Sequence, residues 1–253
     1  MHNKEQIDFI IPSFKSKILT SLCIQSFEKY KSNFNFRYII VENSDDESYK
    51  QEILNLADDI LWIQNPTKAR GSAANAVALE EGLKHVESEY VFLCHNDVVA
   101  CHPHWMDFLF SKLHEDGFAL AGTVLDLHPQ RQGAVHISGL LTTSKIATSV
   151  SMYPIYENGN QTHDVGDLIT EYCLKNDLRC YCCNNTLNNE EIQMLLSDDN
   201  LYNKFHVDRA LNDDNEVIYL HLGRGIEKTQ RAYHKPNRVY IDEWEHFVIS
   251  NIF

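Results

Sequence analysis

The sequence predicts an α/β fold: a mostly parallel central sheet, helices on both of its faces, and an irregular C-terminal half. Three observations lead there. Short β-branched runs alternate with longer helical patterns through the first half. The longest helical stretch carries Ala76, Leu79, Leu83 and Val86 at steps of three and four, the spacing of one buried face. The strand–helix alternation implies a sheet covered on both faces, and polar residues gather just past the strand ends.

The elements follow in order. Ile7–Pro12 is the first strand and Ile18–Tyr30 the helix after it. Phe36–Glu42 is the second strand, a helical stretch lies around Tyr49–Ala57, and Ile60–Gln64 is a short third strand. Ala69–Val86 is the long helix, Glu89–Cys94 the fourth strand, Trp105–His114 a helix and Phe118–Val124 the fifth strand. Beyond it, Asp126–Ser138 reads as a loop and Gly139–Ser151 as a strand or bend. Asp164–Asn176 reads as a helix, Arg179–Cys183 as a strand, Glu190–Leu211 as mixed helical, Val217–Leu222 as a strand and Ile241–Ile249 as a closing helix. No repeat or linker divides the chain, so residues 1–253 are expected to form one domain, with residues 1–125 and 126–253 as its two halves.

Composition narrows the function. A net charge of −14 argues against general affinity for nucleic acid or anionic lipid, which reward basic surfaces. No apolar run reaches the roughly 20 residues that cross a bilayer, and the polar start Met1–Gln6 lacks the apolar core of a secretory signal. Seven cysteines without framework spacing fit a reducing compartment, so a soluble cytoplasmic protein is expected. Cys173, Cys180, Cys182 and Cys183 are the densest group; buried thiols suit their spacing better than a zinc module, which favours paired C-x-x-C.

In a sheet of this kind, ligands sit at the carboxyl ends of the strands. Strand one ends in Pro12-Ser13-Phe14, strand two in Val41-Glu42-Asn43-Ser44-Asp45 and strand four in His95-Asn96-Asp97. Each is compatible with a plain turn or cap. Together, with the Gly71-containing segment Asn65–Asn75, they place an aromatic and two carboxylates at one edge.

The ordered set resembles the nucleotide-binding half of the inverting family 2 glycosyltransferases, which have the GT-A fold, over roughly residues 7–125. The motifs are Pro12-Ser13-Phe14 before Ser21-Leu22, Val41-Glu42-Asn43-Ser44, Asn65 through Gly71 to Ala74-Asn75, and His95-Asn96-Asp97 in place of Asp-x-Asp. The resemblance implies sugar transfer from a nucleotide-diphosphate donor, UDP-linked by preference, to a hydroxyl of a glycan, glycolipid or protein. Pro12 and Phe14 would flank the base and Glu42 would accept hydrogen bonds from base or ribose. Asn75 and its helix would border the diphosphate. Ser13, Asn43, Asn65, Gly71, His95 and Asn96 fall in the same nucleotide-binding motifs. Asp97 would hold Mn²⁺ or Mg²⁺, which neutralises charge on the departing diphosphate. His95 departs from the family's first acid; a neutral imidazole suits Mn²⁺ and serves Mg²⁺ poorly.

Inverting transfer also needs a carboxylate to take the acceptor proton. Asp164 is the first candidate, falling where the family's acid would if Gly166 is an insertion, and Asp167 is the second; His163 is expected to line the site. The alternative is that Asp164 caps the helix and Asp167 sits in its first turn. GT-A enzymes often draw a further metal ligand from a histidine near the C-terminal side, so the resemblance makes His221, in His221-Leu222-Gly223-Arg224-Gly225, the candidate, with His234 behind it. Arg224 could hold the diphosphate or mark a tight turn. Trp105 reads as a packing residue. A nucleotidyltransferase is disfavoured because PSFKSK after strand one has no glycine; a non-catalytic nucleotide-sugar-binding module stays open.

Overall fold

The computed structural model describes residues 4–122, 125–126, 134–186, 190–195, 207–223 and 240–253. The first half runs β1 (Gln6–Ser13), α1 (Lys17–Lys29), β2 (Asn35–Glu42), α2 (Lys50–Leu54), β3 (Ile60–Gln64), α3 (Ser72–Leu83), β4 (Tyr90–Leu93), β5 (Val98–Ala100), α4 (Trp105–His114) and β6 (Leu120–Gly122). The remainder runs β7 (Leu125–Asp126), β8 (Ala134–Val135), β9 (Leu140–Thr143), α5 (Ser144–Ala147), β10 (Ile155–Glu157), β11 (Asn160–His163), α6 (Asp167–Lys175) and β12 (Cys180–Cys182). It closes with β13 (Asn184–Asn185), α7 (Glu190–Leu195), β14 (Asp208–Leu211), β15 (Val217–His221) and α8 (Ile241–Asn251).

The main sheet has the strand order β12-β6-β9-β4-β1-β2-β3. It is parallel except for β9, which runs antiparallel between β4 and β6. Alternate side chains of β1 face opposite layers. Ile7, Phe9 and Ile11 meet α1 and α4 through Phe27, Trp105 and Met106, while Ile10 meets Ala76 and Leu79 of α3. Phe9 lies 4.6 Å from Phe36 and 5.1 Å from both Phe27 and Phe92, measured between ring centres. Burial of these rings supplies much of the drive for this layer. Trp105 is wholly buried, as its packing role requires. Helix α3 comes so close to β1 that a Cβ on Gly82 would lie 2.5 Å from Ile10. Pro12, which has no N–H, lies past the last β4 pair, Ile10 with Leu93, so it interrupts no ladder on that side.

A second, antiparallel sheet has the order β13-β14-β15-β5. Its apolar side chains Val99, Leu211, Leu220 and Leu222 pack with Leu19 and Leu22 of α1 and Trp244, Phe247 and Val248 of α8. Three expectations need correction here. The stretch from Glu190 to Leu211 ends in strand β14, because its apolar residues pair with β15 across a turn. The expected Asp126–Ser138 loop includes strand β8, and Asp126 itself ends β7, with which β8 pairs. The expected Ala69–Val86 helix starts at Ser72, since Gly71 at φ +55° breaks helical geometry. Among the described residues, which include all seven cysteines, there is no disulfide, and no helix is long and apolar enough to cross a membrane.

Candidate metal centre at the sheet edge

Parallel pairing of β1 with β2 and β4 brings Ser13, Glu42 and the His95–Asp97 turn to one edge. The second sheet brings the rest. Antiparallel pairing of β5 with β15 sets His221 opposite Val98, and the Leu222 N–H donates to the Asp97 carbonyl at 3.0 Å. Pairing of β15 with β14 sets Asp208 opposite His221. Residues far apart in the chain therefore meet.

At the centre, His95 Nδ1 lies 3.4 Å from His221 Nε2, which lies 3.3 Å from Asp97 Oδ1. One donor atom from each of these residues lies within 4.8 Å of the others, close enough to hold a divalent cation. His221 Nδ1 is 3.3 Å from Asp208 Oδ2, and the Asn75 amide lies 3.5 Å from His95 Nε2. The His136 ring stands 5.3 Å from that of His95 and 6.2 Å from that of His221.

The two histidines carry opposite protonation. Burial and the neighbouring His221 charge push His95 down to about 4, against the pull of Asp97 and Asp164, so it is neutral at pH 7. Burial also opposes charge on His221, but Asp97 and Asp208 on either side outweigh it and raise it to about 10. The imidazolium thus supplies the positive charge that two carboxylates demand.

Several residues expected to contact nucleotide have internal partners. Glu42 is fully buried; one oxygen accepts from Lys15 N–H at 3.1 Å and Ser44 N–H at 3.0 Å, and the other accepts from the Tyr49 hydroxyl. It ties two strand-end loops together. Pro12 and Ser13 are covered because β1 is central; Ser13 Oγ joins Thr20 at 3.2 Å and Tyr49 at 3.3 Å. Asn96 donates to Ser16 Oγ at 2.6 Å and Thr20 Oγ1 at 3.1 Å, extending that buried network to the His95–Asp97 turn. Asn43 donates to the Ala74 carbonyl at 2.8 Å and accepts from Asn65, anchoring the start of α3. Phe14, by contrast, is 38% exposed at the rim, and Gly71 has open space around it.

Asp164 is half-buried and its charge reaches His95. Its carboxylate accepts from Gln161 and the Val165 N–H, each at 2.8 Å. Asp167 is 2% exposed and accepts from the Asp164 N–H at 2.7 Å, so it fixes the turn. The α6 cap is Gly166, not Asp164: at φ +78°, with Ile137 where a Cβ would go, only glycine fits. His163 turns to Glu171, 3.6 Å away. Arg224 and His234 lie outside the described residues.

Asp208, His136 and Tyr49 were not anticipated from the sequence. The turn-rich run Asn212-Asp213-Asp214-Asn215 between two apolar stretches is a hairpin signal that would have placed Asp208 beside His221.

No family model matches the chain, and no curated protein matches it by sequence. Solved structures do match. A mannosyltransferase from Pyrobaculum calidifontis, in complex with GDP-mannose and Mn²⁺, superposes with a TM-score of 0.52 at 13% identity, covering 72% of this chain. The chain has a GT-A-like fold. It spans 55% of that mannosyltransferase's length. Glucosyl-3-phosphoglycerate synthase from Mycobacterium tuberculosis, in complex with Mn²⁺, UDP and glucosyl-3-phosphoglycerate, gives 0.52 at 11% identity over 70% of this chain and 69% of its own. The same enzyme with Mg²⁺ and UDP gives 0.52 at 12% identity over 70% and 68%. At these identities the likeness establishes the fold.

Proposed function

We propose that this protein is a glycosyltransferase that moves a sugar from a nucleotide-diphosphate donor, UDP-linked by preference, to an acceptor hydroxyl with inversion. The observation that carries this reading is the convergence of His95, Asp97 and His221 at the carboxyl edge of a GT-A-like sheet. Their two imidazoles and one carboxylate fit a divalent cation such as Mn²⁺. When bound, the ion supplies charge neutralisation for the departing diphosphate.

The chain's own groups divide the remaining work. Phe14, exposed at the rim, offers a face for the base. The start of α3 follows Gly71, whose open surroundings let an oxyanion approach, and the helix N-terminus favours negative charge there. Lys68 and Arg70, both exposed just before it, add positive charge on the diphosphate side. Asp164 takes the proton of the attacking hydroxyl, and Asp167 holds it in position through its backbone N–H. Residues 1–253 act as one domain in this reading, with the acceptor, a glycan, glycolipid or protein, bound by the half after residue 126.

The test is donor turnover by the full chain with UDP-sugars, with and without Mn²⁺. Ion-dependent release of UDP supports the reading. Binding of nucleotide-sugar without any turnover, across donors and acceptors, overturns it in favour of a non-catalytic nucleotide-sugar-binding protein.

A further inference from the structure

The nitrogens that face one another at the centre are His95 Nδ1 and His221 Nε2, 3.4 Å apart. Each ring has its other nitrogen against a polar group on a different element. His221 Nδ1 meets Asp208 on β14 at 3.3 Å, and His95 Nε2 meets the Asn75 amide on α3 at 3.5 Å. This is the arrangement in which an imidazole serves as a metal ligand: the inner nitrogen points at the ion, and the outer N–H donates to an acceptor that fixes tautomer and ring orientation. Asp208 is such an acceptor as it stands. For Asn75, the amide presents its oxygen to Nε2–H after a half-turn, an exchange of two nearly identical atoms.

We infer that Asp208 and Asn75 are positioning residues that hold His221 and His95 as paired nitrogen donors, so that the site selects a transition-metal cation over Mg²⁺. The inference rests on the metal-assisted reading proposed above and goes beyond it. A site with two imidazoles and one carboxylate is borderline in softness and suits Mn²⁺, Co²⁺ or Zn²⁺, whereas Mg²⁺ demands oxygen ligands in a near-ideal octahedron. The rings are also spaced for shared coordination. Metal–nitrogen bonds of about 2.1 Å put the centres of two imidazoles on one ion about 5 Å apart, and the two rings here are centred 5.4 Å apart.

The experiment is titration of the full chain with Mn²⁺ followed by electron paramagnetic resonance, with Mg²⁺ as competitor and pulsed detection of nitrogen couplings. UDP is added to the same samples. Expected are two imidazole nitrogen couplings and Mn²⁺ affinity about tenfold or more above that of Mg²⁺. Asp208→Ala should weaken Mn²⁺ about 10–100-fold with the fold retained by circular dichroism, and Asp208→Asn, which keeps an acceptor oxygen, should recover part of the loss. Absence of nitrogen coupling, or Mg²⁺ equal to Mn²⁺, overturns the inference. If UDP binds equally well with either ion, the inference falls while the transferase reading stands. If both nitrogen couplings are present and no nucleotide binds, the inference stands and the transferase reading falls.

Discussion

Metal binding at this centre should be driven by pH through one proton. His221 lies 3.3 Å from Asp97 on one side and 3.3 Å from Asp208 on the other, and these carboxylates hold it at about 10 despite its burial. Near neutral pH the ring therefore carries a proton that an ion must displace to reach Nε2. With one proton released, affinity rises about tenfold per pH unit, or about 1.4 kcal/mol per unit, across the range below 10 in which His95 stays neutral. From pH 6 to pH 8 the gain is about a hundredfold. Calorimetric titration with Mn²⁺ in buffers of differing ionisation heat counts the protons directly, and about one should appear at pH 7.5. A pH-independent affinity with no proton release would refute the assignment of His221 as an ion ligand. The ion-free protein shows the same linkage in its stability. The His221 contribution is complete below about pH 6.5 and fades as pH climbs through about 10. The His95 contribution is complete above about pH 6.5 and is lost as pH falls toward 4.

Three further outcomes follow from named contacts. Asp164→Asn should lower turnover about 10²–10⁴-fold while UDP-sugar binding, read by calorimetry, stays within a few-fold; unchanged turnover would remove Asp164 as the base. Tyr49→Phe leaves a buried oxygen of Glu42 without its hydroxyl partner and should cost about 1–3 kcal/mol in urea unfolding. Gly166→Ala strains a left-handed turn and drives a methyl into Ile137, so it should destabilise by about 1–3 kcal/mol and shift Asp164; a neutral effect would contradict the crowding at that cap.

Much of the first half was legible because its signals are local. The run Ile7–Pro12 and the repeat through Ala76, Leu79 and Leu83 state their partners' periodicity in single stretches of chain, and β1, β2, β3, α1 and α4 fall within a residue or two of expectation. Asp97 and His95 were singled out at a strand end and by the family resemblance, and His221 by the resemblance alone; the three meet. What the sequence hid is long-range pairing. Strand β5 is three residues long, too short between Asp97 and His102-Pro103 to show a strand pattern of its own, yet its pairing with β15 places His221 beside Asp97. Asp208 meets His221 only through the β14–β15 pairing, which the turn-rich run 212–215 signals and the reading of Glu190–Leu211 as mixed helical obscured. The internal partners of Glu42 were hidden for a related reason. A carboxylate past a strand reads the same whether it faces a ligand or Tyr49, and only burial separates the two.

The central claim is that the His95–Asp97–His221 edge holds an ion against a diphosphate. Reciprocal binding tests it most directly: Mn²⁺ affinity measured with and without UDP, and UDP affinity with and without Mn²⁺, in the full chain and in Asp97→Ala. The account predicts that each ligand strengthens the other by the same factor, about tenfold or more, and that the variant loses this coupling. Independent binding of the two in the unaltered chain would contradict it.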